Sequence, residues 1–350
     1  MNRDLPRIAV DAMGGDFGPE VVVPGALQAV RSGAAAAVLV GREPDIRKVL
    51  DRESTQGLDI EIQHASEMVE MDEKPSEALR LKKDSSIRVA ASLVKQGRCH
   101  GMISAGNSGA TVAAGMFVLG RIRGVERPAL AGLMPTEKKP IVLVDVGANV
   151  DSKPFHLAQF GIMGSVLAQD VLDRRSPKIG LLTIGEEEGK GNTVVRTAYE
   201  MLKKSSLNFV GNVEGRDIFT GEVDVVVCDG FVGNVALKLS EGLASSLTRM
   251  LKSELSGDIV SRMGAMLAMS AFRRFKRVVD SSEYGGAPVL GLKGSAMVCH
   301  GASNARAITR AVEIAARFHE NKVQDHLVEG LAANKDLASF GRQKPASDAA

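Results

Sequence analysis

The chain of 350 residues has no tryptophan, only two tyrosines and only three cysteines. So few flat aromatic side chains argue against the stacking platforms of single-stranded nucleic-acid binders. Cys99, Cys228 and Cys299 lie far apart and form no CxxC pair, so neither a zinc ribbon nor a disulfide scaffold is expected. Excess charge is missing too: 44 basic and 42 acidic residues leave a formal net charge of +2, and no nucleic-acid partner is expected.

Long apolar runs are also missing. The longest stretch without acidic or basic residues lies between Arg98 and Arg121, and its many glycines and polar residues make it too polar for a lipid-exposed helix. The N-terminus lacks the apolar core of a signal peptide. Hydrophobic residues make up 44% and charged residues 25%, the balance of a globular protein with a sizeable core. We therefore expect a cytoplasmic protein.

Short apolar runs alternate with helical patterns as far as residue 229. The strand candidates are 8–10, 37–40, 60–63, 101–104, 141–145, 179–184, 208–210, 223–228 and, near the end, 295–298. The helix candidates are 19–31, 85–96, 108–121, 156–173, 193–204 and 304–320. This alternation predicts an α/β fold with a largely parallel sheet.

The region 232–279 has a mostly helical pattern with a break near Ser256–Gly257. No Pro- or Ser-rich linker interrupts the chain, so residues 1–331 are expected to form one integrated unit. Residues 332–350 lack any hydrophobic periodicity and are expected to form a disordered tail.

Glycine-rich clusters follow five of the strand candidates, at 11–16, 105–111, 147–149, 185–192 and 230–234. In an open parallel sheet the carboxyl ends of the strands form the ligand crevice, and glycines there let backbone N–H groups approach an anion. Each cluster alone could be a simple turn; together they predict a phosphate-type site. The P-loop and G-x-G-x-x-G fingerprints are absent, which disfavours a nucleotide cofactor.

Signatures of other catalytic chemistry are missing as well. Neither the G-x-S-x-G elbow nor HExxH is present, and the six histidines lack metal-ligand spacing. No metal and no covalent protein nucleophile are therefore expected. A reaction in which an anionic ligand is itself the nucleophile fits this chain better.

Seven sequence blocks, in order, resemble one family, the bacterial phosphate acyltransferases of phospholipid synthesis (PlsX family). The blocks are VDAMGGDFGPE (10–20), SAGNSGA (104–110), LVDVGANVDSKP (143–154), IGEEEGKGN (184–192), NVEGRDIF (212–219), CDGFVGNVALK (228–238) and YGGAPVLGLKG (284–294). The resemblance runs from about residue 7 to about residue 320 and leaves out the tail.

The resemblance implies that a long-chain acyl group is transferred from acyl-[acyl-carrier-protein] to inorganic phosphate, giving acyl phosphate. It implies a Rossmann-like, three-layer α/β fold similar to isocitrate and isopropylmalate dehydrogenases and phosphotransacetylases, with a helical hairpin protruding at about 232–279. It also implies a homodimer that needs no cofactor and no metal.

The residues in these blocks suggest roles that agree with such a reaction. Phosphate must be held against a thioester carbonyl, and backbone amides plus one cation suffice for that. Lys190, between two glycines, is the candidate cation, and Asn234 is a candidate donor to an oxyanion or phosphate. The candidate phosphate-binding nest is Gly106, Asn107, Ser108 and Gly109. Residues proposed only to orient loops, because carboxylates repel phosphate, are Asp11, Asp16 and Asp229.

Each of these roles has a plainer alternative. Lys190 could be a solvated loop lysine, Asn234 could be a helix N-cap, and the nest could be an ordinary helix cap.

The segment 259–279 combines apolar residues at helical spacing with basic residues. The docking candidates are Met263, Met266, Leu267, Phe272, Arg273, Arg274, Phe275, Lys276 and Arg277. Such a helix can lie in an anionic membrane interface, which predicts reversible peripheral membrane association. The same basic residues could instead bind the acidic carrier protein, or the helix could pack in a dimer.

Three alternative functions stay open at this level. A dehydrogenase on the same fold would need a nucleotide cofactor, and its fingerprint is missing. A phosphotransacetylase-like enzyme would use acyl-coenzyme A as donor. A non-catalytic scaffold would bind acyl carrier protein or a membrane surface without turnover.

Overall fold

Apolar strands and helices alternate along the chain in the computed structural model, which describes residues 5–337. The strands are β1 Arg7–Asp11, β2 Ala36–Gly41, β3 Ile60–His64, β4 Gly101–Ser104, β5 Ala129–Met134, β6 Ile141–Val144, β7 Ile179–Leu182, β8 Phe209–Val213, β9 Val225–Val227, β10 Ala287–Leu290 and β11 Ser295–Val298. The helices are α1 Pro19–Arg31, α2 Glu43–Leu50, α3 Pro75–Leu81, α4 Ser86–Lys95, α5 Ser108–Ala114, α6 Pro154–Val171, α7 Thr193–Lys203, α8 Gly230–Ser256, α9 Ile259–Leu267, α10 Met269–Val279, α11 Ala305–Glu320 and α12 Val323–Ala333.

The sequence analysis did not predict β5, β10, α2, α3 or α12. Strand β10 contains Pro288, a residue that weakens a strand pattern. Helices α2 and α3 have eight and seven residues, too few for a clear helical period. The π-helical turn Gly115–Leu119 extends α5, so the predicted helix 108–121 is close to the observed one.

The strands form one mixed sheet in the order β3-β2-β1-β4-β11-β10-β5-β6-β9-β7-β8. Two parallel groups, β3-β2-β1-β4-β11 and β6-β9-β7-β8, flank β10 and β5, and each pairing from β11 to β6 is antiparallel. The two parallel groups therefore run in opposite directions. Their carboxyl ends leave the sheet at opposite edges, so the sheet predicted to be largely parallel is mixed, and the five glycine-rich clusters do not all follow strands of one direction.

Buried side chains alternate between the two faces of the sheet, and helices cover both. In β1, Ile8 and Val10 join the core with α1, α6 and α11, whereas Ala9 faces the core with α4 and α5. A third apolar cluster covers β6 and β9 on the face to which α8 contributes Ala236 and Leu237. The predicted three-layer α/β fold is confirmed.

Helices α8, α9 and α10 form a helical arm. Asp258 accepts a hydrogen bond from the Ser261 N–H at 2.9 Å and caps α9, which confirms the predicted break near Ser256–Gly257. A second break at Ala268 separates α9 from α10, so the prediction of one helix over 259–279 is wrong. No residue of α9 or α10 is buried.

The C-terminal part of the described chain packs against the body. The Asn334 side chain accepts from the Ser206 N–H at 3.0 Å, and Leu337 belongs to the main apolar cluster. Order therefore extends past residue 332, where the tail was predicted to begin. Residues 338–350 of that tail lie outside the described residues.

Candidate active site

Three loops follow the neighbouring parallel strands β6, β9 and β7, and we call them the central loop cluster: residues 145–153, 228–234 and 183–192. Val144 is level with Val227, and Val227 is level with Leu181. Because parallel neighbours lie 4.7–4.9 Å apart, the three loops leave the sheet side by side. Lys190 and Asn234 both belong to this cluster.

Asp145 organises the loop after β6. Its Oδ1 accepts from the N–H groups of Leu130, Gly147 and Ala148 at 3.0–3.1 Å. Its Oδ2 accepts from the N–H and the side-chain amide of Asn149 at 2.7 and 2.8 Å. Burial raises the pKa of the Asp145 carboxyl, and these hydrogen bonds oppose that rise. The carboxylate is therefore committed to holding the loop.

Helix α8 starts directly against this loop. A Cβ at Gly233 would lie 1.9 Å from the Asp145 carbonyl oxygen, and one at Gly230 would lie 2.7 Å from that of Asn149. Only glycine permits so close an approach. The helix start is thereby fixed on the loop after β6.

Asp229, not Asn234, is the N-cap of α8. Its Oδ1 accepts from the N–H groups of Phe231 and Val232 at 3.0 and 2.9 Å, a role that agrees with loop orientation. Asn234 follows in the second turn and is half-buried, so the plainer alternative for Asn234 is wrong. Its carboxamide lies beside Gly147, within the central loop cluster.

Lys190 is on an exposed loop that begins at the end of β7. Its N–H donates to the Glu187 carbonyl at 3.0 Å, and its Nζ lies 3.7 Å from Glu187 Oε1. The Asn212 side-chain amide on β8 donates to the same carbonyl at 2.8 Å. The Lys190 side chain is thus about half exposed (47%), while its backbone is held by the Glu187 carbonyl.

Three consecutive glutamates on this loop each pair with a cation. Glu187 pairs with Lys190, Glu186 with Arg216 at 3.5 Å, and Glu188 with Lys203. All three pairs are exposed, and such pairs exchange partners at little cost. A phosphate dianion can therefore compete with the loop carboxylates for Lys190 and Arg216.

The loops after β1 and β4 form a second group, the N-terminal loop cluster: residues 11–18 and 104–109. Asp11 is buried and accepts from the Ser104 hydroxyl at 2.6 Å and from the Met13 N–H at 3.2 Å. Burial raises the pKa of Asp11, against the hydrogen bonds. Asp16 is exposed, and its N–H donates to the Gly301 carbonyl at 2.9 Å. Both aspartates tie loops together.

The side chain of Asn107 is fully used inside the protein. Its Oδ1 accepts from Ala110 N–H at 3.0 Å, and its Nδ2 donates to the carbonyls of Glu70, Met71 and Glu73. The Gly106 N–H donates to Ser104 Oγ at 3.0 Å.

Ser108 is exposed at the first position of α5, where helices have no internal acceptor for the N–H. The face of Gly109 that a side chain would occupy points at Pro75, 2.6 Å from its Cγ. Of the predicted nest, the backbone N–H groups of Ser108 and Gly109 are the parts suited to an anion.

Most of the predicted docking residues are exposed on the helical arm. Leu267 is 89% exposed, and Met263, Met266 and Phe275 are each more than half exposed. Arg273, Arg274, Lys276 and Arg277 are exposed as well, whereas Phe272 is half-buried. Within residues 5–337 no helix is both long and apolar enough to cross a membrane.

A groove of about 870 Å³ lies at the amino ends of β4 and β11, away from the 104–109 loop. Its lysines, Lys293 and Lys322, are accompanied by Glu320 and Asp325. This balance of charge favours no ligand class, and we assign the groove no function.

Sequence reasoning missed Asp145, Asn149, Asn212 and Arg216 as members of the site. Each of these residues lies in one of the seven sequence blocks quoted above, and that position was the sequence signal that could have identified it. Asp145 and Asn149 bond each other within one loop. Asn212 reaches Glu187, and Arg216 reaches Glu186, on a different segment, and these longer-range contacts could not be read from spacing. No group of three or more His, Cys, Asp or Glu residues suited to a metal occurs in the described part of the chain.

Comparison with known proteins agrees with the seven blocks. The family described as fatty acid synthesis protein matches residues 6–326. A phosphate acyltransferase of Nitratidesulfovibrio vulgaris (strain DP4) is 60% identical over 336 residues, covering 96% of this chain and 97% of that protein. One from Lawsonia intracellularis is 56% identical over 343 residues, covering 97% of this chain and 99% of that protein.

Solved structures support the fold. A phosphotransacetylase from Streptococcus pyogenes aligns with a TM-score of 0.62 at 18% identity, covering 90% of this chain and 94% of that one. The EutD phosphotransacetylase from Staphylococcus aureus aligns with a TM-score of 0.58 at 14% identity, covering 90% and 94%. The predicted likeness to phosphotransacetylases is thus confirmed at the level of the fold. On the full-length sequence matches, the chain belongs to the phosphate acyltransferase (PlsX) family of acyltransferases.

Proposed function

We propose that this enzyme transfers a long-chain acyl group from acyl-[acyl-carrier-protein] to inorganic phosphate, for use in phospholipid synthesis. The observation that carries this proposal is the 60% identity, over nearly the full length of both chains, to proteins named phosphate acyltransferase. A phosphate oxygen attacks the thioester carbonyl carbon, the carbon–sulfur bond breaks, and the carrier protein leaves as a thiolate that takes up a proton. No covalent acyl-enzyme is needed.

Lys190 and Asn234 serve this reaction from the central loop cluster. The Lys190 ammonium exchanges the Glu187 carboxylate, 3.7 Å away, for the phosphate dianion and holds it for attack. The Asn234 carboxamide donates to the oxyanion that develops on the thioester carbonyl. The buried Cys228 thiol, whose pKa is raised by burial, stays protonated and plays no part in bond making.

The Ser108 and Gly109 N–H groups contribute to anion binding from the N-terminal loop cluster. Five strand pairs separate β4 from β9. At about 20–25° of twist per pair they rotate one strand by roughly 100–125° from the other. The two loop clusters lie at opposite edges of the sheet. Because the twist rotates one group of strands relative to the other, the loops of the two clusters do not point in opposite directions.

Incubation with acyl-[acyl-carrier-protein] and phosphate, with acyl phosphate trapped by hydroxylamine, tests the reaction. Turnover is expected with the carrier-protein thioester and weaker turnover with the matching acyl-coenzyme A. Faster turnover of acyl-coenzyme A would favour a phosphotransacetylase-like enzyme, the class that the fold neighbours represent. No turnover of either donor would support a binding scaffold instead.

Lys190→Ala tests the role of the cation. Loss of one preorganised charged donor is expected to cost about 2–4 kcal/mol of transition-state stabilisation, with unchanged thermal unfolding. Lys203→Ala is the matched control, because Lys203 pairs with the neighbouring Glu188. Near-wild-type turnover by folded Lys190→Ala would exclude Lys190 from the mechanism.

The arm docks reversibly on an anionic membrane surface, where the acyl phosphate is handed on. Exposed apolar residues on α9 and exposed basic residues on α10 support this peripheral association. Binding to liposomes is expected to require anionic lipid, to fall with salt and to be lost in Leu267→Glu with Phe275→Glu. We prefer Phe275 to the half-buried Phe272, whose substitution would also disturb the arm.

Unchanged sedimentation of that double variant would exclude the arm as the membrane anchor. If the variant instead lost affinity for the carrier protein and kept its lipid binding, the arm would be the carrier-protein site.

The enzyme acts as a homodimer. On α8, Val235, Leu239, Leu243, Leu247 and Met250 are at least half exposed and lie on one helical face. An apolar stripe of this kind needs a cover, and a second copy of the chain supplies it. Analytical ultracentrifugation of Leu243→Asp with Leu247→Asp is expected to give a monomer where the unchanged chain gives a dimer.

A further inference from the structure

The Glu187 carbonyl oxygen is the point at which the Lys190 loop is fastened to the sheet. It accepts the backbone N–H of Lys190 at 3.0 Å and, from the neighbouring strand β8, Asn212 Nδ2 at 2.8 Å. One oxygen thus joins the turn that carries Lys190 to a side chain of the sheet. Displacement of this oxygen would move the Lys190 backbone.

Asn212 is placed to hold that oxygen rigidly. It is level with Leu181 in the parallel pairing of β7 and β8, two residues before Thr183, where β7 gives way to the loop. Asn212 is only 8% exposed, so water competes poorly for its amide. The other ties of the loop described above are ion pairs between exposed side chains, which restrain a loop weakly.

The oxygen of the Asn212 carboxamide has an unusual environment for a side chain that only packs. Within the described part of the chain its Oδ1 is buried without a hydrogen-bond partner, as is Thr183 Oγ1. Buried polar atoms normally have a hydrogen-bond partner. If this side chain only filled space, an apolar side chain would do so without leaving a polar atom unpaired. What the amide provides at this position is the N–H group that holds the Glu187 carbonyl.

We infer that Asn212 is a positioning residue for Lys190. The inference rests on the proposed function, in which the Lys190 ammonium holds the phosphate. Asn212 touches neither substrate. By fixing the Glu187 carbonyl it sets the Lys190 backbone, and through it the reach of the ammonium toward phosphate and thioester.

Asn212→Leu and Asn212→Ala test this role together. Leucine fills the same space without an N–H group, so a residue that only packs would keep activity as leucine. A positioning residue loses it in both variants: kcat is expected to fall roughly tenfold to a hundredfold, with the KM for the acyl donor unchanged. Asn208→Ala is the matched control, since Asn208 precedes the same strand and bonds to Ser176 instead. Full kcat in the leucine variant overturns the inference.

A double-mutant cycle separates this inference from the proposed function. In a Lys190→Ala background, Asn212→Leu is expected to lower kcat less than twofold further, because both substitutions remove the same contribution, that of the positioned Lys190 ammonium. If Lys190→Ala is impaired and Asn212→Leu lowers kcat by its full factor on top, Asn212 does not act through Lys190 and the inference fails alone. If Lys190→Ala keeps full turnover, the proposed role of Lys190 fails, and the inference fails with it.

Discussion

At the scale of single residues, the site consists of a few polar groups whose backbone surroundings are fixed. The Asp145 carboxylate accepts hydrogen bonds from N–H groups of its own loop. The Asn107 carboxamide caps α5 and donates to a carbonyl of a neighbouring loop. Lys190 keeps its charged tip exposed beside an exposed glutamate. The groups left to bind an anion are therefore the Lys190 ammonium, the nearby Arg216 guanidinium and uncommitted backbone N–H groups.

Ser108→Pro is expected to raise the KM for phosphate several-fold while kcat at saturating phosphate changes little. Proline is tolerated at the first helical position but has no N–H group, and Asn107, at φ −58° and ψ 112°, lies outside the helical region that a following proline disfavours. Ser108→Ala keeps the N–H and is the control. Phosphate titrations at saturating acyl donor measure the change, and equal KM values in both variants would place the anion elsewhere.

Glu187→Gln is expected to lower the KM for phosphate by roughly two- to fivefold, the scale of an exposed ion pair. Phosphate then no longer competes with a carboxylate for Lys190, while the Glu187 backbone carbonyl stays in place. Glu188→Gln, which removes the partner of Lys203 instead, should leave the KM unchanged. The same steady-state titration decides, and a raised KM in Glu187→Gln would argue against this competition.

At the scale of elements, the start of α8 matters most, because three parts of the site meet there. Asp229 caps the helix. Gly230 and Gly233 allow it to pack closely against the Asp145–Asn149 loop, and Asn234 follows in the second turn. Farther along, the same helix turns its apolar stripe to solvent and carries α9 and α10 outward. Helix α8 thus carries part of the candidate site at its start and α9 and α10 beyond its end.

Gly233→Ala is expected to lower the free energy of unfolding by about 1–3 kcal/mol, the usual range for overpacking, and to lower kcat as Asn234 is displaced. The added methyl group would meet the Asp145 carbonyl oxygen at 1.9 Å. Gly242→Ala, on the same helix with open space around it, should be neutral or slightly stabilising. Urea unfolding compares the two, and equal stabilities would contradict the close approach.

At the scale of the whole molecule, the fold consists of two oppositely directed parallel groups joined through β10 and β5, with α6, α11 and α12 packed together across them. His326 on α12 pairs with Asp170 on α6 at 2.9 Å, and this carboxylate raises the pKa of His326 above its ordinary value of 6.5. The pair therefore makes the stability of this helical layer depend on pH.

The sign follows from the raised pKa. The folded state binds the His326 proton more tightly than the unfolded state, so the added stability is fully present below pH 6.5 and is lost as pH rises through the folded value. His326→Gln is expected to make the free energy of unfolding fall less between pH 6 and pH 8 than it does in the unchanged protein. Urea unfolding at both pH values measures this, and an identical fall in the two proteins would contradict it.

The sequence by itself determined the local features of this protein. Apolar runs marked nine of the strands, and the glycine-rich blocks marked the loops that carry Lys190 and Asn234. The break before α9 was predicted near Ser256–Gly257, next to the Asp258 that the structure shows to cap α9. These features are encoded by residues within a few positions of one another, so their patterns are legible along the chain.

The tertiary structure alone decided which of these parts meet. Strand direction reverses through β10 and β5, and an alternation of strands and helices carries no record of that reversal. Asn212 meets the Glu187 carbonyl across 25 positions of sequence, and Phe272 is half-buried although its neighbours on α10 are exposed. Such contacts depend on strand pairing and helix packing between distant segments, which set the surroundings of a side chain only once the whole chain has folded.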